Sequence, residues 1–449
     1  MKHTKTISID QLKPGMFVVG MDQPWYRTPF LTHKRLIRDS RDIELLRQIG
    51  VRELKIDSSQ GLDVEQAPSG DAAPAQDTEQ TTVAAPQPNH FPQPTAPGTA
   101  SKPDSNTETN PAEQPSATQE GTPTPAITRE QAAAAQETYN QAVRSMERMF
   151  KELETGGISR LEKLQSVVSD VLTRVLNDDA SMLNLFSLQK MKRFDRTLAS
   201  HALDICTLSL IVGQNYGVRE GNLEELGAGA LLHDVGYIRL PRNLYRRSHD
   251  LTEQEMAIMQ QHPELGLATL KDAKEDRNAV VRIVTEHHER GDGSGFPHKL
   301  KGDSLSILAQ LVGAVDIYDG MVSRRGGKPA MLPHDAIRQL FRLGDTGQYP
   351  KDLIQTLIGS LGVYPIGSLA LMNTGEQAVV VGLNRTQRLK PVVKVITDPW
   401  GGVYLTPIRI DLGAQATGQP ARAILKVLDP LHEQVNVAMV LDGVHEEAA

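Results

Sequence analysis

The run His287-His288-Glu289-Arg290-Gly291-Asp292-Gly293-Ser294-Gly295-Phe296-Pro297 decides how the rest of this chain is read. Two adjacent imidazoles close a helical apolar pattern that begins at Ala279, and the alternating glycines behind them turn the chain sharply. Working outward, His201, His233-Asp234, His262 and Asp316 recur at intervals of about 25 to 35 residues, each within or at the end of a helical pattern. Side chains of metal-ligand type are thus spread over successive helices.

Taken alone, His233-Asp234 reads as a buried histidine hydrogen-bonded to its neighbours, His201 reads as equally unremarkable, and His262 before Pro263 reads as a helix boundary. Adjacent helical residues project about 100° apart, so His233 and Asp234 can serve one centre only near a helix end, and Gly236 supplies the break. Taken together, five histidines and two aspartates without a cysteine suit iron, manganese, zinc or nickel rather than a structural thiolate site. Seven ligands exceed what one ion holding a reactive water needs. They suit two ions about 3.5 to 4 Å apart that share a carboxylate, with Asp234 as the expected bridge. Such a pair lowers the pKa of a bound water and neutralises phosphoester oxygens, so phosphoester hydrolysis by a dimetal-activated hydroxide is the expected chemistry.

Composition narrows the field. The 449 residues carry a formal charge of −7, which offers no basic surface to nucleic acid or to an anionic membrane. A single cysteine, Cys206, excludes an internal disulfide framework and reads as a small buried hydrophobe. No signal-peptide pattern follows Met1 and no apolar run reaches membrane-spanning length, so a soluble cytoplasmic protein is expected.

Four segments follow from patterning. Residues 1–65 mix short strands (Ile7-Ser8-Ile9, Phe17-Val18-Val19, Val51 to Asp57) with a helix from Ile43 to Ile49, giving a small α+β regulatory or interaction domain. Residues 66–127, rich in Pro, Ala, Thr and Gln, bury too little apolar surface to order themselves and read as a disordered linker. Residues 128–362 are helical throughout, opened by a capping box at Thr128 and Gln131, with patterns at Leu161 to Leu176, Ser200 to Tyr216, Leu223 to His233, Glu253 to Gln261, Pro263 to Leu270, Ala279 to His288, Ile307 to Val322 and Pro333 to Leu343. The apolar stripe on the first of these helices would serve either the chain's own bundle or a homodimer. Residues 363–449 turn to β-branched runs, predicting a small antiparallel barrel or sheet packed on the helices.

The motifs Leu231-Leu232-His233-Asp234-Val235-Gly236, His262-Pro263-Glu264-Leu265-Gly266, His287-His288-Glu289 through Pro297, and Asp316-Ile317-Tyr318-Asp319 resemble the HD-GYP phosphodiesterases over about residues 190 to 345. Ile9-Asp10-Gln11-Leu12-Lys13-Pro14-Gly15-Met16 resembles the domain of unknown function often found ahead of such bacterial enzymes. The implied fold is multidomain: an all-α HD-type catalytic domain, a small α+β N-terminal domain and a small β C-terminal appendage. The implied activity is hydrolysis of cyclic di-GMP to linear pGpG or GMP, with two divalent ions, iron or manganese foremost and zinc or nickel as alternatives. By the resemblance, His201, His233, Asp234 and Asp316 hold one ion, and Asp234, His262, His287 and His288 the other. Arg325 and Lys328 match an Arg-x-x-Lys that meets substrate phosphates or guanine. GGDEF-type or other signalling proteins are the implied partners.

Three positions depart from or qualify the pattern. Thr197 stands where trinuclear members carry a glutamate, which implies two metals. Tyr237 replaces the lysine expected three residues after the motif aspartate; a phenol donates a hydrogen bond but brings no positive charge at pH 7. Phe296 replaces the motif tyrosine, with an expected effect on loop fixing. By the resemblance, the expected catalytic set is His233, Asp234 and Tyr237. The alternatives are a cyclic di-GMP receptor with little turnover and another HD-type nucleotide phosphohydrolase. The loop from Gly291 to Gly295 either turns the chain or also offers its amides to a ligand.

Overall fold

The computed structural model describes residues 4–22, 35–37, 40–48, 50–59, 61–63, 124–155, 162–192, 197–241, 244, 251–323, 330–415 and 421–442. The predicted linker falls almost wholly outside the described residues. The protein is multidomain and mostly helical. At the N-terminus, strands β1 (Thr4–Ser8), β2 (Phe17–Met21), β3 (Arg35–Leu36) and β4 (Glu53–Asp57) form an antiparallel sheet in the order β1-β4-β2-β3, joined by helix α1 (Ser40–Gln48). Alternation in β1 and β4 turns Ile7, Leu54 and Ile56 inward onto Val18, Ile37 and Leu46. Ile9 is not part of the first strand as expected. Ser8 caps a 3-10 turn over Ile9–Gln11, with its hydroxyl accepting from the Asp10 amide, so the strand stops one residue earlier.

The helical core runs through α2 (Arg129–Glu154), α3 (Glu162–Lys192), α4 (Leu198–Tyr216), α5 (Glu220–Leu232), α6 (Glu253–Met259), α7 (His262–Asp272), α8 (Asn278–Glu286), α9 (Ile307–Val322), α10 (Pro333–Asp345) and α11 (Lys351–Leu361). The Thr128–Gln131 capping box opens α2, as its sequence spacing predicts. Helix α4 lies at the centre: every residue from Ala199 to Gly213 is buried, which is why its sequence is apolar on all sides rather than on one face. Two differences from the sequence reading have local causes. Helix α3 continues to Lys192 instead of ending near Leu176, because Asp178 leaves helical geometry (φ −159°, ψ 68°) and its carboxylate caps the Ser181 amide at 3.1 Å, restarting the helix after a kink. Helix α11, which periodicity had passed over, begins directly behind Pro350.

The C-terminal region is an open antiparallel sheet of β5 (Leu369–Met372), β6 (Gln377–Gly382), β7 (Val392–Thr397), β8 (Val403–Asp411) and β9 (Ile424–Leu428), ordered β8-β7-β6-β5-β9. The two runs at Val403 and Ile408 are one continuous strand rather than two. Short helices α12 (Pro430–Glu433) and α13 (Val437–Asp442) follow. The sheet is covered on both faces. Leu369, Val379, Val381, Val392 and Ile396 join the helical core, whereas Met372, Ala378, Val380, Val393 and Val395 form a second cluster on the opposite face.

Candidate metal centre

All seven ligand-type residues singled out in the sequence meet in one place. His201 comes from α4, His233 and Asp234 from the end of α5, His262 from the start of α7, His287 and His288 from the end of α8, and Asp316 from α9. Helix ends make this convergence feasible, since a side chain there projects into the junction between helices instead of along one face. Two glycines bring the backbones close enough. A Cβ at Gly236 would stand 1.9 Å from the His262 carbonyl oxygen and one at Gly313 would stand 2.1 Å from that of His287, so only a hydrogen fits at either position.

Asp234 sits at the middle with its two oxygens facing opposite ways. Oδ2 is 3.3 Å from His201 Nε2 and 3.4 Å from His233 Nε2, and Oδ1 is 3.3 Å from His262 Nε2 and 3.7 Å from His287 Nε2. Asp316 Oδ1 lies 3.3 Å from the same His201 nitrogen. Ligand atoms of Asp234, His262, His287 and His288 are mutually close enough to hold one cation, and so are those of His201, His233 and Asp234. Bonds of about 2.1 Å to a divalent ion leave neighbouring ligand atoms roughly 3 Å apart, the spacing found around Asp234.

The hydrogen bonds set which imidazole nitrogen faces inward. His233 Nδ1 donates to the Ala230 carbonyl at 2.8 Å, His262 Nδ1 to that of Met259 at 2.8 Å, and His287 Nδ1 to those of Ile283 and Val284 at 3.1 Å each. In the neutral rings this leaves Nε2 as a lone pair in every case. His233 Nε2 is buried with no hydrogen-bond partner, and His262 Nε2 and His287 Nε2 face each other at 3.2 Å. Lone pairs converging in a closed site lack a proton to share. A cation satisfies them, so the residues present fit a metal.

Electrostatics agree with that fit. Burial lowers the His262 pKa to about 4 and holds the His288 ring well below its ordinary value, so both are neutral and ligand-competent at pH 7. Burial alone would raise the Asp234 carboxyl; the histidines packed around it, His233 foremost, outweigh burial and keep Asp234 well below the usual carboxylate range.

Tyr237 stands half-buried on the 3-10 turn after Asp234, its ring stacked on His262 with centroids 4.3 Å apart. Thr197 is the N-cap of α4, accepting from the Ser200 amide at 3.1 Å. Phe296 stacks on His288 with centroids 4.6 Å apart, so the aromatic ring at this position pins the loop to one of the candidate ligands. Of the two readings of the glycine loop, turning the chain is the better supported. The amides of Gly291, Gly293, Ser294 and Phe296 bond to Gln348, Arg290, Asp292 and His288. Buried Glu289 then fixes the loop's far side by accepting from the amides of His298 at 2.6 Å and Leu300 at 3.0 Å. Arg325 and Lys328 lie outside the described residues.

Sequence reasoning gave Asp319 no role. It is fully buried on α9 and receives His201 Nδ1 at 3.2 Å. Its spacing of three from Asp316 puts both on one helix face, a signal that was available. A cleft of about 470 Å³ that includes Arg385, Arg388 and Arg409 lies at the seam of sheet and helices and shares no residue with the cluster. No described helix is long and apolar enough to cross a membrane.

Comparison with known proteins assigns the segments. Residues 174–353 match the HD domain, residues 4–163 a domain of unknown function (DUF3391), and residues 369–430 a KOW domain associated with the HD domain. "Cyclic di-GMP phosphodiesterase PA4108" of Pseudomonas aeruginosa is 25% identical over 94% of this chain and 91% of its own length. "Cyclic di-GMP phosphodiesterase response regulator RpfG" of Xanthomonas campestris is 32% identical over 29% of this chain and 35% of its own. "3'3'-cGAMP-specific phosphodiesterase 2" of Vibrio cholerae is 34% identical over 25% of this chain and 22% of its own. Among solved structures, Bd1817, described as a HDG"Y"P protein from Bdellovibrio bacteriovorus, covers 79% of this chain and 98% of its own at 17% identity and TM-score 0.44. The HD match covers the helices that carry the candidate ligands, so the chain carries an HD domain over residues 174–353, with a DUF3391 match ahead of it and a KOW match behind.

Proposed function

We propose that this chain is a metal-dependent phosphodiesterase that hydrolyses cyclic di-GMP to linear pGpG or GMP. The observation that carries the reading is Asp234, one carboxylate turned with each oxygen toward a different group of histidine nitrogens. That arrangement supports two divalent ions, iron or manganese foremost. Such ions neutralise the non-bridging oxygens of a phosphodiester and make a water acidic enough to attack it at neutral pH. The names of the relatives, PA4108 above all, support cyclic di-GMP as the substrate.

The chain's own groups divide the remaining work. Asp234 stays ionised and holds the two ligand groups in register. The backbone carbonyls behind His233, His262 and His287 keep their Nδ1 protons in place and their Nε2 atoms ready to coordinate. Tyr237, stacked over His262, offers a phenol at the rim where it can donate to a phosphate oxygen. Arg325 and Lys328 are proposed to grip phosphate or guanine.

A receptor with little turnover is favoured by one feature, Tyr237 in place of a lysine. The test is turnover of cyclic di-GMP, with 3'3'-cGAMP in parallel, by full-length protein loaded with Mn²⁺ or Fe²⁺ beside the His233→Ala/Asp234→Ala variant. Metal-dependent product that disappears in the variant is the expected result. Tight binding of cyclic di-GMP without product would sink the enzyme reading, and turnover of 3'3'-cGAMP alone would redirect the substrate.

A further inference from the structure

We infer that Asp319, Lys190, Asp204 and Tyr139 form a buried positioning relay that aims His201 at the metal site and ties its hold on an ion to helix α2. The inference rests on the metal-centre reading given above. Asp319 is fully buried and both its oxygens are engaged: Oδ2 with His201 Nδ1 at 3.2 Å and Oδ1 with Lys190 Nζ. It therefore stands behind the ligand. Receiving the Nδ1 proton of His201, it leaves Nε2 unprotonated toward Asp234 and Asp316, as outer carboxylates commonly do for metal-bound histidines.

Lys190 joins this carboxylate to a second one. Its ammonium donates to Asp204 Oδ2 at 2.6 Å as well as to Asp319, and lies 4.6 Å from the Phe186 ring centroid. Asp204 accepts from the Tyr139 hydroxyl at 2.7 Å through its other oxygen. The Lys190 side chain is 8% exposed and the Asp204 side chain 2%, so neither charge is solvated and each is held by the other. One lysine against two aspartates leaves a surplus negative charge directly behind His201, which strengthens the imidazole as a donor toward a cation.

The participants come from four helices. Tyr139 is on α2, Lys190 on the part of α3 beyond its kink, His201 and Asp204 three residues apart on α4, and Asp319 on α9. The DUF3391 match ends at residue 163 and so takes in α2. A displacement of α2 would reach His201 through Tyr139, Asp204 and Lys190, because buried charges cannot exchange protein partners for water. The relay makes α2 a handle on the metal site.

Isothermal titration with Mn²⁺ and the visible d–d absorption of the Co²⁺-loaded full-length protein test this in Asp319→Asn, Lys190→Met and Tyr139→Phe. Arg174→Met serves as control: Arg174 also links α2 and α3, donating to the Gln131 carbonyl at 2.9 Å and to Asp178 at 3.0 Å, and lies outside the relay. Asp319→Asn and Lys190→Met should weaken one bound ion by about 10- to 100-fold and change the Co²⁺ spectrum, leaving the other within about twofold. Tyr139→Phe should act in the same direction and more mildly; it removes a single oxygen and decides the question should the charge variants not fold. Wild-type affinities and spectrum in all three, or an equal loss in Arg174→Met, would overturn the relay while leaving the metal centre intact. A wild-type protein that binds no ion would overturn the metal reading itself.

Discussion

Replacing Gly236 by alanine tests the architecture of the site at one atom. The added Cβ would lie 1.9 Å from the His262 carbonyl oxygen and 2.6 Å from the Gly266 amide nitrogen, both backbone atoms that cannot rotate away. Restoring an ordinary contact requires the 3-10 turn and the start of α7 to separate by about 1 Å or more. Overpacking of this kind costs about 1–3 kcal/mol, which for a domain of this size lowers the melting temperature by several degrees. The same movement carries His262 Nε2 away from Asp234, 3.3 Å distant, so binding of one ion should weaken more than tenfold. Gly221→Ala on α5 is the matched control. Its Cβ meets nothing within 4 Å, and alanine in a helix is favoured over glycine by up to about 1 kcal/mol, so its melting temperature should hold or rise. Thermal unfolding of the chelator-treated protein and metal titration give both readouts. A Gly236→Ala variant with wild-type stability and wild-type ion affinity would refute the close approach on which the site geometry depends.

The chelator-treated protein should lose stability as pH falls from about 6.5 to about 4. His262 resists protonation when folded and accepts a proton near 6.5 when unfolded, so acid favours the unfolded chain by up to about 3 kcal/mol. Urea unfolding at pH 7.5 and 4.5 measures this difference, and His262→Gln should shrink it; equal midpoints for the wild type would contradict the buried neutral ring. Tyr237→Lys should raise turnover of cyclic di-GMP by up to about 10²-fold if the missing charge limits the rate; an unchanged or lower kcat would assign the limit elsewhere. Cys206 is buried and burial pushes its thiol up, so iodoacetamide should leave the native protein unmodified and label it only in denaturant. Glu289→Ala deletes the acceptor for two loop amides and should raise hydrogen exchange at His298 and Leu300, with a stability loss of about 1–3 kcal/mol. Unchanged exchange at those amides would mean the loop is held by other contacts.

The ligand set was legible because its histidines and Asp234 sit at or near helix ends, spaced along successive helices, where a side chain of the wrong chemistry stands out against apolar periodicity. Gly236 was legible as a break, though its reason is tertiary: it admits the His262 carbonyl. The relay was not legible. Lys190, Asp204 and Tyr139 look like isolated polar residues on helices, and only the packing of α2, α3 and α4 shows that they are buried against one another. The kink in α3 misled for a physical reason. Asn177-Asp178-Asp179 carries the signature of a helix terminus, and Asp178 does act as a cap, but for a helix that resumes at once. Strand β9 escaped notice because its pairing with β5 joins residues more than fifty apart in the chain. Helix α11 was missed although its apolar residues Leu353, Ile354, Leu357 and Leu361 have helical spacing.

The C-terminal sheet bears on how the chain comes apart. One of its faces contributes Leu369, Val379, Val381, Val392 and Ile396 to the same apolar cluster as the helices, and α13 adds Val437, Val440 and Leu441. A segment boundary drawn at residue 362 therefore separates kinds of secondary structure while one apolar interior runs across it. Deleting the KOW match would strip one wall from a shared interior and expose a broad apolar surface, a route to aggregation rather than to a smaller enzyme. What is modular as a family match shares its interior with the helices and should unfold together with them.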